Sequence, residues 1–359
     1  SMKLKSIIAG YRRIPNRERF SATVTTVVPV GTEAVYDCKV PGPHAFDGNG
    51  VMLHNCGEIV LLSKQFCNLT EVIARAGDTE KALLRKAKLA TILGTYQSTL
   101  TNFSYLSKEW KDNCEAERLL GVSITGQWDS SVVRDGKVLR KMRKVAIDAN
   151  KRFSKRFKVN ASTAITCVKP SGTVSKTFDT SSGMHPRFAP YYIQRIRISA
   201  TDSLFKMLRD QGVPFHPEVG QTAESANTYV LEFPVKAPEG SVFNNDLSAL
   251  EQLEYWKMVK LNFTEHNPSV TISISEGEWI ATAHWLYENW DIIGGLSFLP
   301  RSDIAYRLAP MEVCSKQQYD SLLEKMKNVD YSKIVVYEKK DETEQKKELA
   351  CAGGTCEII

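Results

Sequence analysis

Cys56 and Glu58 stand two residues apart in the stretch His54-Asn55-Cys56-Gly57-Glu58-Ile59. In extended backbone that spacing turns both side chains to one side, with Cα atoms roughly 6–7 Å apart, so a thiol and a carboxylate can address one bound molecule. Directly upstream, the side-chain amide nitrogen of Asn55 can attack its own carbonyl and break the bond to Cys56, with His54 placed to polarise that carbonyl. Cys67 follows on the same stretch. Near the chain's end, Cys351 and Cys356 flank Gly353-Gly354, where they could close a small disulfide and are badly placed for a core. Between these, Ala164 to Val174 reads as a strand running into the small-residue loop Pro170-Ser171-Gly172-Thr173. Glycine allows close backbone approach there, and hydroxyls with free N–H groups can cradle a phosphate.

The elements that must position these groups change character at residue 56. Residues 20 to 55 read as short β segments, with Phe20 to Pro29 and Ala34 to Val40 rich in β-branched and aromatic residues and with turn signals at 41–43 and 47–50. Such a unit is too short to make its own core. Downstream, a helix pattern begins at Asp78-Thr79-Glu80, with Asp78 as N-cap and Leu83, Leu84, Ala87 and Ala90 on one face. A second helical stretch runs through Leu119-Leu120, and a third, basic one from Val138 to Phe157. Segments 229–233, 269–274 and 295–299 read as strands, and Ser275 with Glu278 and Ser315 with Gln318 form capping boxes that open helices. The aromatic series Trp279, Trp285, Tyr287 and Trp290 reads as helix packing. This alternation predicts an α/β layer structure or barrel. From Glu338 to Glu348 every residue except Thr343 and Gln345 is charged, which reads as a solvated linker. The divisions are therefore 1–55, 56–337 and 338–359.

At 359 residues and 42% hydrophobic composition the chain can bury a sizeable core. No apolar run approaches the roughly 18 residues of a membrane span and no signal peptide opens the sequence, so a cytoplasmic protein is expected. The net charge of +6 reads as spread over a solvated surface, with neither nucleic acid nor membrane as partner. Eight cysteines without a secretion signal read as reduced thiols, and their spacing fits no zinc site, so no metal is expected. Cys114 and Cys314, in helix-like sequence, and Cys38 and Cys167, in strand-like sequence, read as inert.

Two resemblances give these residues roles. Val35 to Val40, His44-Ala45-Phe46 and Asn49 to Asn55 are similar to the C-terminal piece of an intein. Blocks that would begin an intein are missing, so the resemblance implies a split intein whose N-terminal piece lies on another polypeptide. It implies a splicing role for Asp37, His44, His54, Asn55 and Cys56, with His44 and Asp37 assisting proton transfer. From Cys56 onward, Cys56-Gly-Glu-Ile, Cys67-Asn-Leu, Pro170-Ser-Gly-Thr, Ser182-Gly-Met-His185-Pro and Tyr191 to Arg197 resemble ribonucleotide reductases, above all the adenosylcobalamin-dependent, monomeric, triphosphate-using kind. That family carries Asn-Pro before the cysteine, where this chain has His54-Asn55, a departure that fits a partner supplying Asn-Pro on splicing. The resemblance implies half of a ten-stranded α/β barrel with a central active-site finger loop, preceded by a small all-β intein segment of the HINT type. It further implies adenosylcobalamin as cofactor, Cys56 as thiyl carrier and Glu58 as base. Cys67 would form a disulfide with a cysteine of an N-terminal reductase half, and Cys351 and Cys356 would be a redox pair on a mobile tail served by a thioredoxin-like reductant. Phosphate would bind at Pro170, Ser171, Gly172 and Thr173. Two other readings stay open: a self-processing association module without catalysis of its own, and a diphosphate-using reductase.

Overall fold

The computed structural model describes residues 45–48, 51–54, 57–301 and 307–338. Strands β1 (Ala45–Gly48) and β2 (Val51–His54) pair antiparallel with Gly48 opposite Val51, the hairpin expected of an intervening Asn-Gly. Asp37, His44, Asn55, Cys56, Cys351 and Cys356 lie outside the described residues, as do Cys38 and nearly all of the charged segment.

A row of parallel segments carries the rest. β3 (Asn68–Ile73) pairs in parallel with β4 (Leu120–Thr125). Val122 bridges Thr166, Val168 bridges Pro268, and the chain beyond Pro268 becomes β8 (Val270–Ile274), paired in parallel with β9 (Leu296–Pro300). The connections are helical: α1 (Glu80–Gln97) and α2 (Lys108–Glu117) between β3 and β4, α3 (Gly136–Phe157) after β4, and α6 (Ala249–Asn262) before β8. Strand alternation gives the row two unlike faces. Val72, Leu120, Val122, Ile124, Val270, Ile272 and Ile274 pack on Leu83 and Ala87 of α1, Leu139 and Met142 of α3, and Leu253, Trp256 and Val259 of α6. The opposite face presents Leu69 and Glu71 beside Gly121 and Ser123. Cys167 lies on that face too, its sulfur beside Gly121.

Several expectations are corrected. Helix α1 is capped by Thr79, whose side chain accepts the Ala82 N–H at 3.2 Å, while Asp78 instead accepts from the Arg75 N–H and pairs with Lys86. Leu119-Leu120 does not continue a helix: α2 ends at Arg118 in the left-handed region, and Leu120 opens the fully buried β4. Of the aromatic series on and after α7 (Trp279–Glu288), only Trp285 joins the core; Trp279, Tyr287 and Trp290 are exposed. The basic helix expected from Val138 to Phe157 forms as α3, with lysines and arginines from Lys137 to Arg156 and Asp148 as its one acid. Both capping boxes form as expected.

A four-stranded antiparallel sheet, unforeseen in the sequence, has the order β10 (Met311–Val313), β5 (Tyr191–Ser199), β7 (Thr228–Lys236), β6 (Phe215–Pro217). Its own core gathers Phe205, Met207, Leu208, Val213 and Leu231, with the first three on α5 (Ser203–Asp210). Cys314 is buried just after β10, before α8 (Lys316–Met326), rather than in a helix. Among the described residues no helix is long and apolar enough to cross a membrane.

Trp256 ties the helical layer to the strand row: it is fully buried and its Nε1–H donates to the Pro268 carbonyl at 2.8 Å. Replacing it by alanine leaves a cavity and an unpaired carbonyl, and urea unfolding is expected to register a loss of about 3–5 kcal/mol.

Candidate active site

The turn that follows Cys56 is held by backbone contacts. Gly57 has φ of +56° and Gly295 of +71°, a region that favours glycine, and a Cβ on Gly57 would stand 3.0 Å from the Gly295 Cα. Asn267 grips the turn twice, its backbone N–H donating to the Glu58 carbonyl at 2.9 Å and its side-chain Nδ2 to the Gly57 carbonyl at 3.2 Å. Lys260 donates to the Asn267 Oδ1 at 2.5 Å, which fixes the amide so that nitrogen faces the turn. Gly294 leaves room for that amide, since a Cβ there would lie 2.7 Å from Oδ1. Beyond the turn, Ile59 enters the gap left by Gly121, where a Cβ would approach Ile59 Cδ1 to 2.8 Å, Leu69 Cδ2 to 2.4 Å and Cys167 Sγ to 3.2 Å.

This docking buries Glu58, which is 7% exposed and whose Oε2 has no hydrogen-bond partner. Burial raises its pKa, opposed by its own backbone N–H and by the charge of Lys169. Cys67 lies close enough to feel that carboxylate: burial first, then the Glu58 charge, push its thiol up to about 11. Cys167, expected to be inert, is fully buried but belongs to the same cluster, and burial with the charges of Glu58 and Cys67 raises its pKa further. Cys114 also borders it, its sulfur accepting the Phe66 N–H at 3.2 Å. Phe66 stacks on Trp110 with centroids 4.6 Å apart, so α2 anchors the segment that carries Cys67. The structure thus brings Glu58 and Cys67 together, and Cys56 adjoins the pinned Gly57 in sequence.

The Pro170–Thr173 loop leaves the same row directly after Lys169. Its members differ: Pro170 and Ser171 are buried, whereas Gly172 and Thr173 are exposed at the start of the short helix α4 (Thr173–Thr177). His185 is neutral, with a pKa lowered by burial to about 4. Its Nδ1–H donates to the Ser182 carbonyl at 3.0 Å and its Nε2 accepts the Thr271 N–H at 3.0 Å, a structural bridge to β8. Arg195 and Arg197, within the motif Tyr191 to Arg197, are consumed inside the antiparallel sheet, Arg195 by Glu232 at 2.8 Å and Glu312 at 2.5 Å, Arg197 by Glu218 at 2.5 Å. Sequence reasoning passed over Asn267, Lys260, Gly295, Lys169 and Glu71. Asn267-Pro268 and Gly294-Gly295 punctuate the strands and could have marked a close approach, but no local pattern pairs them with residue 57.

Among the described residues no group of three or more His, Cys, Asp or Glu side chains could hold a metal ion. No family model matches the chain. It is 28% identical over 351 residues to the adenosylcobalamin-dependent ribonucleoside-triphosphate reductase of Lactobacillus gasseri, covering 87% of this chain and 46% of that one. The protein of the same name from Lactobacillus delbrueckii subsp. bulgaricus is 25% identical, with 100% of this chain and 52% of that one covered. A crystal structure of a B12-dependent, class II ribonucleotide reductase superposes with a TM-score of 0.64 at 24% identity, over 80% of this chain and 44% of that one. The chain therefore has homologues named as triphosphate reductases and an α/β fold similar to the class II enzyme. It spans about half the length of the curated relatives it matches.

Two outcomes follow from the buried charges. Glu58's folded-state pKa is raised, so the folded chain binds the proton more readily and the group's contribution to stability is lost as pH rises through that value. Glu58→Gln should accordingly be more stable than the parent at pH 8, with the difference shrinking at pH 5 in urea titrations. His185 behaves oppositely, because its pKa is lowered to about 4. The stability it contributes is present above its unfolded pKa of about 6.5 and is lost as pH falls from there toward 4. A His185→Gln chain, compared by urea midpoints at pH 7 and 5, should lose less stability on acidification than the parent.

Proposed function

We propose that this chain is the C-terminal half of a split adenosylcobalamin-dependent ribonucleoside-triphosphate reductase that still carries a C-terminal split-intein segment. Residues 1–55 would splice it to an N-terminal partner and complete the half barrel with the partner's strands. One observation carries the reading: the Gly57–Glu58 turn sits pinned over a row of parallel strands, with a buried carboxylate oxygen lacking a partner beside Cys67. An unpartnered buried carboxylate is costly unless a ligand answers it. A sugar hydroxyl is a donor of the right kind.

In the proposed reaction Cys56, as thiyl, takes the 3′ hydrogen of the ribose and Glu58 accepts the 3′-hydroxyl proton. The 2′-hydroxyl leaves as water, Cys67 with a partner cysteine supplies two electrons and two protons by forming a disulfide that Cys351 and Cys356 then reduce, and Cys56 returns the hydrogen to the 3′ carbon as Glu58 gives back the hydroxyl proton, which regenerates the thiyl. A pKa of about 11 keeps Cys67 a thiol, able to give a proton together with its electron. Adenosylcobalamin, when bound, supplies the organic radical that oxidises Cys56. The exposed run Val60 to Leu62 beside the turn is an apolar surface that an assembled enzyme could cover. The homologues' names support the triphosphate substrate.

Mixing the chain with an N-terminal partner and weighing the products tests the assembly. A joined product lacking residues 1–55 is expected from the parent, whereas Asn55→Ala should bind the partner without releasing that segment. Deoxynucleotide formation is expected only after joining, and Glu58→Gln should lower it about 100-fold or more. Activity in the unmixed chain, or release at the parent rate from Asn55→Ala, contradicts the proposal.

A further inference from the structure

Glu71 is a second carboxylate on the reactive face, and the reaction proposed above does not use it. It stands on β3 opposite Ser123 of β4, whose Oγ accepts the Lys169 N–H at 2.9 Å. Glu71 Oε2 accepts the hydroxyl proton of Ser171 at 3.0 Å across 100 residues of sequence, while Oε1 is buried without a partner. Burial raises the Glu71 pKa, opposed by Ser171 and by the charge of Lys169.

Ser171 is saturated by the protein itself. Its Oγ accepts the Ser175 N–H at 3.0 Å while donating to Glu71. Its N–H donates to Ser182 Oγ at 2.9 Å, and its carbonyl accepts from Ser182 Oγ at 2.8 Å and Ser175 Oγ at 2.7 Å. A hydroxyl whose one proton goes to Glu71, in a residue 4% exposed, has no proton left to offer an anionic ligand, in contrast to the exposed Thr173 and the exposed Gly172 backbone.

From these contacts we infer that Glu71 is a positioning residue: through Ser171 it latches the Pro170–Thr173 loop to β3, so that Gly172 and Thr173, and not the Ser171 hydroxyl, face the phosphates of a ribonucleotide. The phosphate half of this inference rests on the function proposed above. The latch is a property of the chain by itself. A carboxylate suits the task because it accepts more strongly than a neutral oxygen, and its burial behind Ser171 beside Lys169 keeps its charge away from an anionic ligand.

Hydrogen exchange on the full 359-residue chain tests the latch without any activity. In Glu71→Ala the peptide covering 169–177 should exchange about tenfold faster, the equivalent of about 1.4 kcal/mol for a hydrogen bond to a charged group, with β4 peptides unchanged. Glu71→Gln, whose amide oxygen still accepts the hydroxyl, should restore most of the protection. Ser171→Ala, which also removes the acceptor of the Ser175 N–H, should loosen the loop at least as much, and the double variant no further than Ser171→Ala alone. Unchanged exchange, equal loosening of β4, or additive single effects would each overturn the latch, and should Glu71→Ala fail to fold, the Gln and Ser171 variants decide it. In the joined enzyme, Glu71→Ala should raise the triphosphate KM about tenfold with kcat changed far less. A loosened loop with unaltered KM overturns the phosphate role but not the latch, and a joined enzyme without reductase activity overturns the function proposed above while the exchange result stands.

Discussion

Asn267 holds a turn of backbone, and the chemistry depends on that grip. One residue supplies two donors to consecutive carbonyls of Gly57 and Glu58, and its own orientation is set by Lys260 on α6. The adjoining Val168–Pro268 bridge places this anchor in the strand row itself, so the turn is registered against β4 and β8 rather than suspended from a loop. Gly57 and Gly295 permit backbone-to-backbone contact that any side chain would block. A reactive carboxylate needs this rigidity, because an unpaired buried oxygen would otherwise draw the turn back to water.

The two faces of the strand row divide the energetic labour. The outward face is apolar and packs on α1, α3 and α6, which supplies the stability of the layer. The inward face concentrates Glu58, Cys67, Glu71 and Cys167, groups whose charged forms burial disfavours and whose pKa values are raised accordingly. A face of this kind is worth its cost only where a ligand or a second set of strands completes it. In the function proposed above, a ribonucleotide and further strands would provide that completion.

What the sequence disclosed follows from the range of each interaction. Ser275 with Glu278 and Ser315 with Gln318 are local devices, and they formed as read. Glu58 and Cys67 stand nine residues apart in sequence, and the structure brings them near enough for the Glu58 charge to act on the Cys67 thiol, while Cys56 lies outside the described residues. Cys167 is fully buried with a raised pKa, in agreement with an inert thiol, although its nearness to Glu58 and Cys67 left no mark in the sequence. Leu119-Leu120 was misplaced because a short apolar run is ambiguous between helix and strand, and the left-handed Arg118 that ends α2 leaves no sequence mark. Asn267, Glu71 and the antiparallel sheet were invisible for one shared reason: their partners lie far away in sequence, as with Glu71 and Ser171 at 100 residues.

The central claim is that this site removes a hydrogen from a ribose carbon while Glu58 receives the neighbouring hydroxyl proton. Its most direct measurement is the rate of deoxynucleotide formation by the joined enzyme on a ribonucleoside triphosphate carrying deuterium at the 3′ carbon, compared with the unlabelled substrate under single-turnover conditions. A slower rate for the deuterated substrate is the result this account predicts. Equal rates with product formed under conditions where chemistry limits turnover would contradict it.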